Sequence, residues 1–505
     1  MSRAHALLAW LEDKSDWLSP IVVKEVRQVM RGREFNYSFG ASLFVGLAVA
    51  FFGAADALTG NGTSGMWTFV ALTVSLAVLG LAIVPLGAFS ALRNERMERT
   101  LDLITLTALS PRRVIVGKLL AQGVKLVTLF AGIAPFIAMS FLLGGVDFVT
   151  ILVWLAIVFM WSLWACAVCL FLSTLFKSRA MSGLVFGGFG IALFVLFGFT
   201  RSLFFLARFG GGPALSMSSG ADAWWALAIA TTACAATMMN LVLLAENRLT
   251  LPSENRVTRL RLGFLVQFLL IVGWTLSFLD SPPGERSDAA EALGVLGGLH
   301  LGFVALFTVT EDFVIPRRAR WTMNRPAWRL LSPFLMPGGG RGAAYVLAQM
   351  GILLAAVWTL ASDATLMRWV LAMCGYICFF TGVPAVVVRL LAPARSALHV
   401  RLAVLMLVLA GTLLPDVVYY VFWQPEVLSL NFSGRHLLNP VRSLANWDVI
   451  ETYSSFMVPV VMGLTGLVTY FVLIQVGART TAEGASVHPP AAAAAEETGS
   501  ANALY

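Results

Sequence analysis

Long apolar segments recur along the whole chain, and they constrain its fold more than any other feature. A helix that crosses a bilayer needs roughly 20 apolar residues. Only 12% of the residues are charged, about half of the 25% typical of a soluble domain. The sequence therefore predicts an all-α, polytopic membrane helix bundle of about twelve spans, and it excludes a soluble enzyme, a disordered chain and a disulfide-rich secreted module. The predicted spans lie at about 38–58, 67–90, 119–143, 149–176, 180–206, 222–245, 262–279, 291–310, 344–361, 367–388, 401–423 and 454–476.

The distribution of basic residues predicts the orientation. If the amino terminus is cytoplasmic, 28 of the 35 Lys and Arg residues fall in inner segments and six in outer segments. Cytoplasmic loops carry the excess of Lys and Arg in membrane proteins. Both termini are therefore expected in the cytoplasm. We expect a multi-pass protein of the cytoplasmic (inner) membrane of a bacterium, surrounded by membrane lipids and without a nucleic-acid partner.

The spans and loops suggest four consecutive regions. The first is an interfacial amino-terminal segment, the next two are six-span halves, and the last is a disordered cytoplasmic tail. The first half contains one long inner segment, and the second contains a long inner loop and a long outer loop. The regions are 1–37, 38–245 with inner segment 91–118, 246–479 with inner loop 311–343 and outer loop 424–453, and 480–505.

Motifs for chemistry on the chain itself are missing from the sequence. No segment matches the phosphate-binding pattern G-x-x-x-x-G-K-[ST], because Gly117-Lys118 is followed by Leu119. The five histidines are scattered through different segments, and the five cysteines lie in apolar runs, where a thiol acts as a small hydrophobe. We therefore expect no bound cofactor, no metal and no catalytic residue.

Charge inside the predicted spans is scarce, and such charge usually marks an ion or proton pathway. Lys125 lies in the third span, and its side chain is expected to snorkel to the cytoplasmic headgroups. Asp416 follows Pro415 near the outer end of the eleventh span. Lys125 and Asp416 are the two candidates for a transport path.

The inner segment between the second and third spans has mixed charge at helical spacing. Acidic and basic residues alternate from Arg93 to Asp102, while Met97, Leu101, Ile104 and Ala108 recur on one face. This pattern predicts an amphipathic helix at the membrane surface or against a partner. Leu109-Ser110-Pro111 follows it, and the serine suits a helix cap and the proline the first helical turn. The same tripeptide recurs at 18–20 and 331–333, each time before a predicted helix.

This inner segment resembles the cytoplasmic signature of the type-2 ATP-binding-cassette exporter permeases. The resemblance rests on Glu98-Arg99-Thr100-Leu101-Asp102-Leu103-Ile104, on Leu109-Ser110-Pro111, and on Val114-Ile115-Val116-Gly117-Lys118-Leu119-Leu120. Arg99 stands where the family often has Gly, and Ala108 where it often has Pro. The match covers roughly residues 18–245.

The amino-terminal segment extends the resemblance. Pro20 to Arg27 is similar to the interfacial helix that precedes the first span in that family. Apolar residues share one face of the predicted helix and basic residues the other. The charged residues singled out on this helix are Lys24, Glu25, Arg27 and Arg31.

The resemblance implies a transport permease, which is not itself an enzyme. It would be energised by a separate ATPase subunit, and ATP and Mg²⁺ would bind to that partner. Assembly stays open: twelve spans could supply both membrane halves, or one half that pairs with a second copy or a second permease. The contact candidates for the ATPase are Glu95, Glu98, Arg99, Asp102, Arg112 and Arg113.

Two other functions remain open at this stage. An integral-membrane enzyme acting on lipid or polyprenyl substrates would need clustered ionisable groups, and the nearest to this is the outer loop with Arg435, His436, Arg442 and Asp448. A carrier that is not coupled to ATP, or a scaffold, is disfavoured by the scarcity of charge within the spans. The basic loop from Arg317 to Arg341 is either a diverged second ATPase contact or a loop bound to anionic lipid.

Overall fold

The computed structural model describes an all-α chain with no strand among the described residues. Ten of its helices are long and apolar enough to cross a membrane, in the part of the chain that the structure covers. The protein is therefore a multi-pass membrane protein. The described residues are 20–58, 64–97, 111–144, 146–175, 188, 221–250, 254–312, 331–361, 363–391, 397–422, 439–445, 447 and 457–485.

The chain divides into two compact units, Met1–Thr250 and Leu251–Tyr505. The described part of each unit contains five candidate spans, and the division into two six-span halves stays a prediction. Unit 1 contains a short helix followed by long ones, and a π-helical turn, Leu79–Ile83, interrupts the second span. The helices of unit 1 are α1 (Pro20–Arg31), α2 (Arg33–Leu58), α3 (Ser64–Val78), α4 (Val84–Met97), α5 (Pro111–Leu142), α6 (Phe148–Leu175) and α7 (Ala221–Leu249).

The helix directions in unit 1 follow from contacts between side chains. We call the end of the unit that carries Arg33, Glu95 and Lys118 its basic end. Helix α6 runs parallel to α7, because Met160 contacts Cys234 and Trp164 contacts Thr237. Two parallel spans require an odd number of crossings between them. The predicted fifth span, 180–206, would supply one, but apart from residue 188 it lies outside the described residues.

Unit 2 begins with a helical hairpin and ends with a long helix. Its basic end carries Arg261, Arg389 and Arg401, and we call the opposite end distal. The helices of unit 2 are α8 (Thr258–Leu276), α9 (Pro283–Thr308), α10 (Ser332–Leu335), α11 (Gly339–Leu360), α12 (Ala364–Leu391), α13 (Ala397–Phe422), α14 (Pro440–Ala445) and α15 (Met457–Ala485).

Helices α12 and α15 pack closely in parallel. A Cβ atom at Gly375 would lie 2.9 Å from the Cα of Gly463, and Thr381 hydrogen-bonds Tyr470 at 2.8 Å further along both helices. Small residues permit this approach, as is common between membrane helices. One crossing is needed between two parallel spans, and α13 provides it.

Membrane-facing surfaces are apolar, and the helices bury their other faces against each other. In unit 1, Val84, Leu92, Leu126, Leu129 and Leu170 form one buried cluster between α4, α5 and α6. By contrast, large apolar side chains on α2 are exposed, including Phe44, Phe51 and Phe52. This arrangement suits a bundle surrounded by lipid.

The ten candidate spans correspond to ten of the twelve predicted runs. The eleventh run corresponds to α13, whose apolar described part, Ala397–Leu413, is shorter than a full crossing. Several helices begin earlier than the apolar runs: α5 begins at Pro111 rather than at 119, and α8 at Thr258 rather than at 262. Helix α15 continues to Ala485, past the predicted start of the tail. Each of the three Leu-Ser-Pro tripeptides stands at a helix start, because α1 begins at Pro20, α5 at Pro111 and α10 at Ser332.

Candidate functional site

A buried lysine joins three helices at the basic end of unit 1. Lys118 lies about two turns into α5, and its side chain is 3% exposed. Its Nζ donates to Glu25 Oε2 of α1 at 3.0 Å and to Glu95 Oε1 of α4 at 2.7 Å. We call these three residues the lysine cluster. One ammonium thus ties the amino-terminal helix to both helices that flank residues 98–110.

The sequence of α1 explains why Glu25 faces inward. Residues three and four apart share one face of a helix, and Val22, Glu25 and Val29 lie on the face that packs against α5, with Val22 and Glu25 buried. Lys24, Arg27 and Arg31 are exposed on the other face. The predicted amphipathic helix is therefore present, but the structure places Glu25 on its buried face rather than among the interfacial charges.

Burial makes the lysine cluster sensitive to the loss of its single cation. Removing charges from water is expensive, and a buried ion pair that loses one partner leaves an uncompensated charge. Two carboxylates share one ammonium here, and Glu95 keeps a little more contact with solvent, at 17% side-chain exposure. The docking of α1 on α5 is therefore coupled to the position of the end of α4.

Only part of the predicted ATPase contact lies in the described residues. Glu98, Arg99 and Asp102 fall within 98–110, which is outside them. Arg112 and Arg113 are exposed in the first turn of α5. Glu95 instead points to Lys118, so its described contact is within unit 1. The predicted helix from Arg93 begins as a continuation of the second span, since α4 runs without a break through Glu95 to Met97.

The prediction that Lys125 snorkels to the headgroups is wrong. Lys125 is 2% exposed and lies in the interior of unit 1. Its Nζ and Glu34 Oε2 border the same space, at 3.7 Å and 3.3 Å from the position that a Cβ of Gly87 would occupy. A carboxylate from α2 therefore lies near the ammonium, which removes the need to reach the headgroups. For Asp416, the other transport-path candidate, the structure gives only its place in the backbone of α13.

A buried arginine occupies the basic end of unit 2. The side chain of Arg261, in α8, is 0% exposed, and its Nη2 lies 2.6 Å from Glu311 Oε2. Its Nη1 donates to the carbonyls of Phe334 and Met336 at 2.7 and 2.8 Å, and its Nη2 also donates to the carbonyl of Gly338 at 3.1 Å. We call this group the arginine cluster. The arginine cluster fixes two segments to α8: the one before α11 and the one that directly follows α9.

Two further arginines extend this arrangement. Arg389 Nη2 donates to the carbonyl of Glu311 at 2.9 Å and to Asp312 Oδ1 at 3.1 Å. Arg401 Nε donates to Thr310 Oγ1 at 3.0 Å. Burial raises the pKa of the Glu311 carboxyl, and the charges of Arg261 and Arg401 oppose that rise. The start of the predicted inner loop 311–343 is thus held by basic residues from three helices.

Lys118 and Arg261 are not among the site residues that the sequence predicts. Both precede an apolar run by one residue, so both were counted as loop charges. The available signal was that each stands next to long apolar stretches, in Val116-Gly117-Lys118-Leu119-Leu120 and in Leu260-Arg261-Leu262. A charge in such a setting needs a buried partner.

No group of three or more His, Cys, Asp or Glu residues that could hold a metal ion occurs among the residues the structure describes. All five cysteines are free and buried. Of the outer-loop residues named for an enzyme, Arg435, His436 and Asp448 lie outside the described residues, and for Arg442 only the backbone, in α14, is described. The chain matches no family model, no curated protein and no solved structure at a significant level.

Proposed function

We propose that the protein is the membrane-spanning permease of an ATP-driven exporter of the ATP-binding-cassette type. A separate ATPase subunit would dock on residues 98–113 and would bind the ATP and Mg²⁺. The signature residues Glu98, Arg99 and Asp102 suggest the family. The observation that carries the proposal is the lysine cluster, because it links the two ends of the docking segment to each other and to α1.

This linkage offers a way to transmit motion. When two ATPase subunits close on ATP, the docking segment moves with them. Helix α4 leads into this segment and α5 leads out of it, and Lys118 ties both to Glu25. A push on the segment would therefore tilt three helices as one body, which is how packed helices convert small shifts into domain motion. Lys125, further along α5, and Glu34, in the first turn of α2, would then lie next to the moving helices.

We propose that the protein lies in the cytoplasmic membrane of a bacterium. Its basic ends and both termini would face the cytoplasm. Rim charges such as Arg112 and Arg113 would steer and orient the ATPase. The chain would work with its ATPase either alone or with a second permease subunit, which could be another copy of itself.

Cysteine cross-linking tests the docking site. The five native cysteines are buried, so an introduced surface cysteine can be addressed selectively in the full-length chain. The variant Arg113→Cys, labelled with a maleimide–benzophenone reagent in membranes of the native organism, should cross-link on illumination to an ATPase subunit that mass spectrometry identifies. ATP should change the yield, because closure of the ATPase moves the docking segment.

The matched control is Glu285→Cys, an exposed position at the distal end of unit 2. It should react with the reagent and give no cross-link to the ATPase. If Arg113→Cys is fully modified by maleimide and no ATPase is found, the docking site is wrong.

A further inference from the structure

An apolar groove runs along unit 2 between α11, α12 and α15. Its volume is about 400 Å³. Met350 and Gly351 of α11, Leu371 and Cys378 of α12, and Leu464 of α15 contribute to its walls. Leu371 and Leu464 are more than half exposed, so the groove opens at a face that the bundle presents outward.

The length of the groove matches one leaflet of a bilayer. Its lining on α12 extends from Arg368 to Cys378, and ten residues of helix rise about 15 Å. This is about half of the roughly 30 Å hydrocarbon core. Near the inner end, Cys378 Sγ lies 3.7 Å from Met350 Sδ, so α11 and α12 are in contact there. An elongated apolar groove of this length fits an acyl chain.

An arginine lies at the mouth of the groove. Arg368 is exposed, one turn from the start of α12 at the distal end of unit 2. Its Nη2 lies 3.4 Å from Thr365 Oγ1, a contact that directs the side chain toward that end of the helix. The guanidinium of arginine presents a planar fork of donors that suits phosphate oxygens. Arg368 is the only charged side chain among the groove-lining residues, and it stands at the distal end of the groove, where the headgroups of that leaflet would lie.

We infer that the groove binds an anionic phospholipid, with one acyl chain between the three helices and its phosphate at Arg368. Lipid tails are as apolar as the groove itself, so transfer from bilayer to groove gains nothing from the hydrophobic effect. Selectivity therefore comes from the charge at Arg368, and retention comes from packing along the groove. This inference does not depend on the proposed transport function.

Gly351 offers a way to block the groove without disturbing the fold. A Cβ at Gly351 would have no atom within 4 Å, and the same holds for Gly273, an exposed glycine in the membrane-spanning part of α8. Gly351→Leu should fill the groove, whereas Gly273→Leu adds the same side chain away from it. Arg368→Gln removes the charge and leaves the groove open.

Native mass spectrometry of the full-length protein gives the readout, with dimyristoyl phosphatidylglycerol and dimyristoyl phosphatidylcholine as probes. The unaltered protein should prefer phosphatidylglycerol about fivefold at low salt, as expected for one basic residue near a headgroup. Arg368→Gln should bring the preference close to one, and Gly351→Leu should abolish retention of both lipids. Gly273→Leu should behave like the unaltered protein.

Two results would overturn the inference. One is retention of phosphatidylglycerol by Gly351→Leu equal to that of Gly273→Leu. The other is a change from oligomer to monomer in Gly351→Leu, because this would assign the groove to a second copy of the chain. Photo-cross-linking with a phosphatidylglycerol that carries a diazirine on its acyl chain should label peptides within 347–378 or 459–467, and labelling confined to other segments would also contradict the inference.

Discussion

The basic ends of the two units each contain a buried cation, but the two cations bond to different kinds of partner. In each unit, a buried cation ties the end of the second span to neighbouring segments. Lys118 in unit 1 bonds two carboxylates, Glu25 and Glu95, which belong to two other helices. Arg261 in unit 2 bonds a single carboxylate, Glu311, and three backbone carbonyls.

This difference shows where each unit can change its conformation. The contacts of Lys118 all join side chains, so they can part without disturbing the backbone. The contacts of Arg261 fix the backbone of 334–338 directly, and the planar guanidinium sets their directions. We therefore expect the basic end of unit 1 to be the adaptable one and that of unit 2 to be the rigid one.

Loss of Arg261 should have the largest effect. In Arg261→Met, Glu311 stays buried without its closest cation and three carbonyls lose a donor, so the free energy of unfolding should fall by about 3–5 kcal/mol. The midpoint of thermal unfolding, followed by tryptophan fluorescence in detergent, should drop accordingly. Arg259→Met, at an exposed position on the same helix, should change stability by less than about 1 kcal/mol. Equal losses in the two variants would contradict the role given to Arg261.

Neutralising each cluster as a whole should affect the free energy of unfolding differently in the two units. Lys118→Met alone should cost about 3 kcal/mol, and Lys118→Met combined with Glu25→Gln and Glu95→Gln should recover to within about 1 kcal/mol, because no uncompensated charge remains. Arg261→Met combined with Glu311→Gln should stay about 2–3 kcal/mol less stable, since the carbonyls still lack donors at about 1 kcal/mol each. The same thermal measurement applies, and equal recovery in both units would remove the distinction between them.

The smallest effect is expected from Glu25→Gln. It leaves Lys118 paired with Glu95, so stability should fall by only about 1 kcal/mol, but α1 should detach more often from α5. A cysteine placed at the buried position Val22 should then react with maleimide several-fold faster. Lys24→Gln, on the exposed face of α1, should leave that rate unchanged, and an equal increase there would indicate a general loosening of the helix.

Hydropathy predicted the helical class and the positions of most spans, because long apolar runs seldom form anything other than membrane-spanning helices. It placed the starts of α5 and α8 too late, since an apolar run stops at a charged residue whereas a helix continues through a charge that has a partner. Lys118 and Arg261 were missed for this reason. Their partners lie far along the chain, since Lys118 and Glu25 are 93 positions apart and Arg261 and Glu311 are 50 positions apart.

The amphipathic pattern of α1 was predicted correctly, and so were helix starts at the Leu-Ser-Pro tripeptides. The pattern assigned charges to a surface by residue type alone, and it therefore placed Glu25 with the interfacial charges. Lys125 was expected to extend to the headgroups because the sequence cannot show that Glu34 lies on the adjacent helix. Pairing between helices depends on the packing of the whole unit, which local periodicity does not contain.

ATP hydrolysis by the purified assembly tests the central claim most directly. The chain is purified from native membranes through an affinity tag, reconstituted in nanodiscs and assayed for ATP hydrolysis, with subunits counted by native mass spectrometry. The account predicts an ATPase subunit and hydrolysis with the unaltered chain and with Glu285→Lys/Asp288→Lys, and loss of both with Glu98→Lys/Asp102→Lys. An assembly without an ATPase, or full hydrolysis with Glu98→Lys/Asp102→Lys, would contradict it.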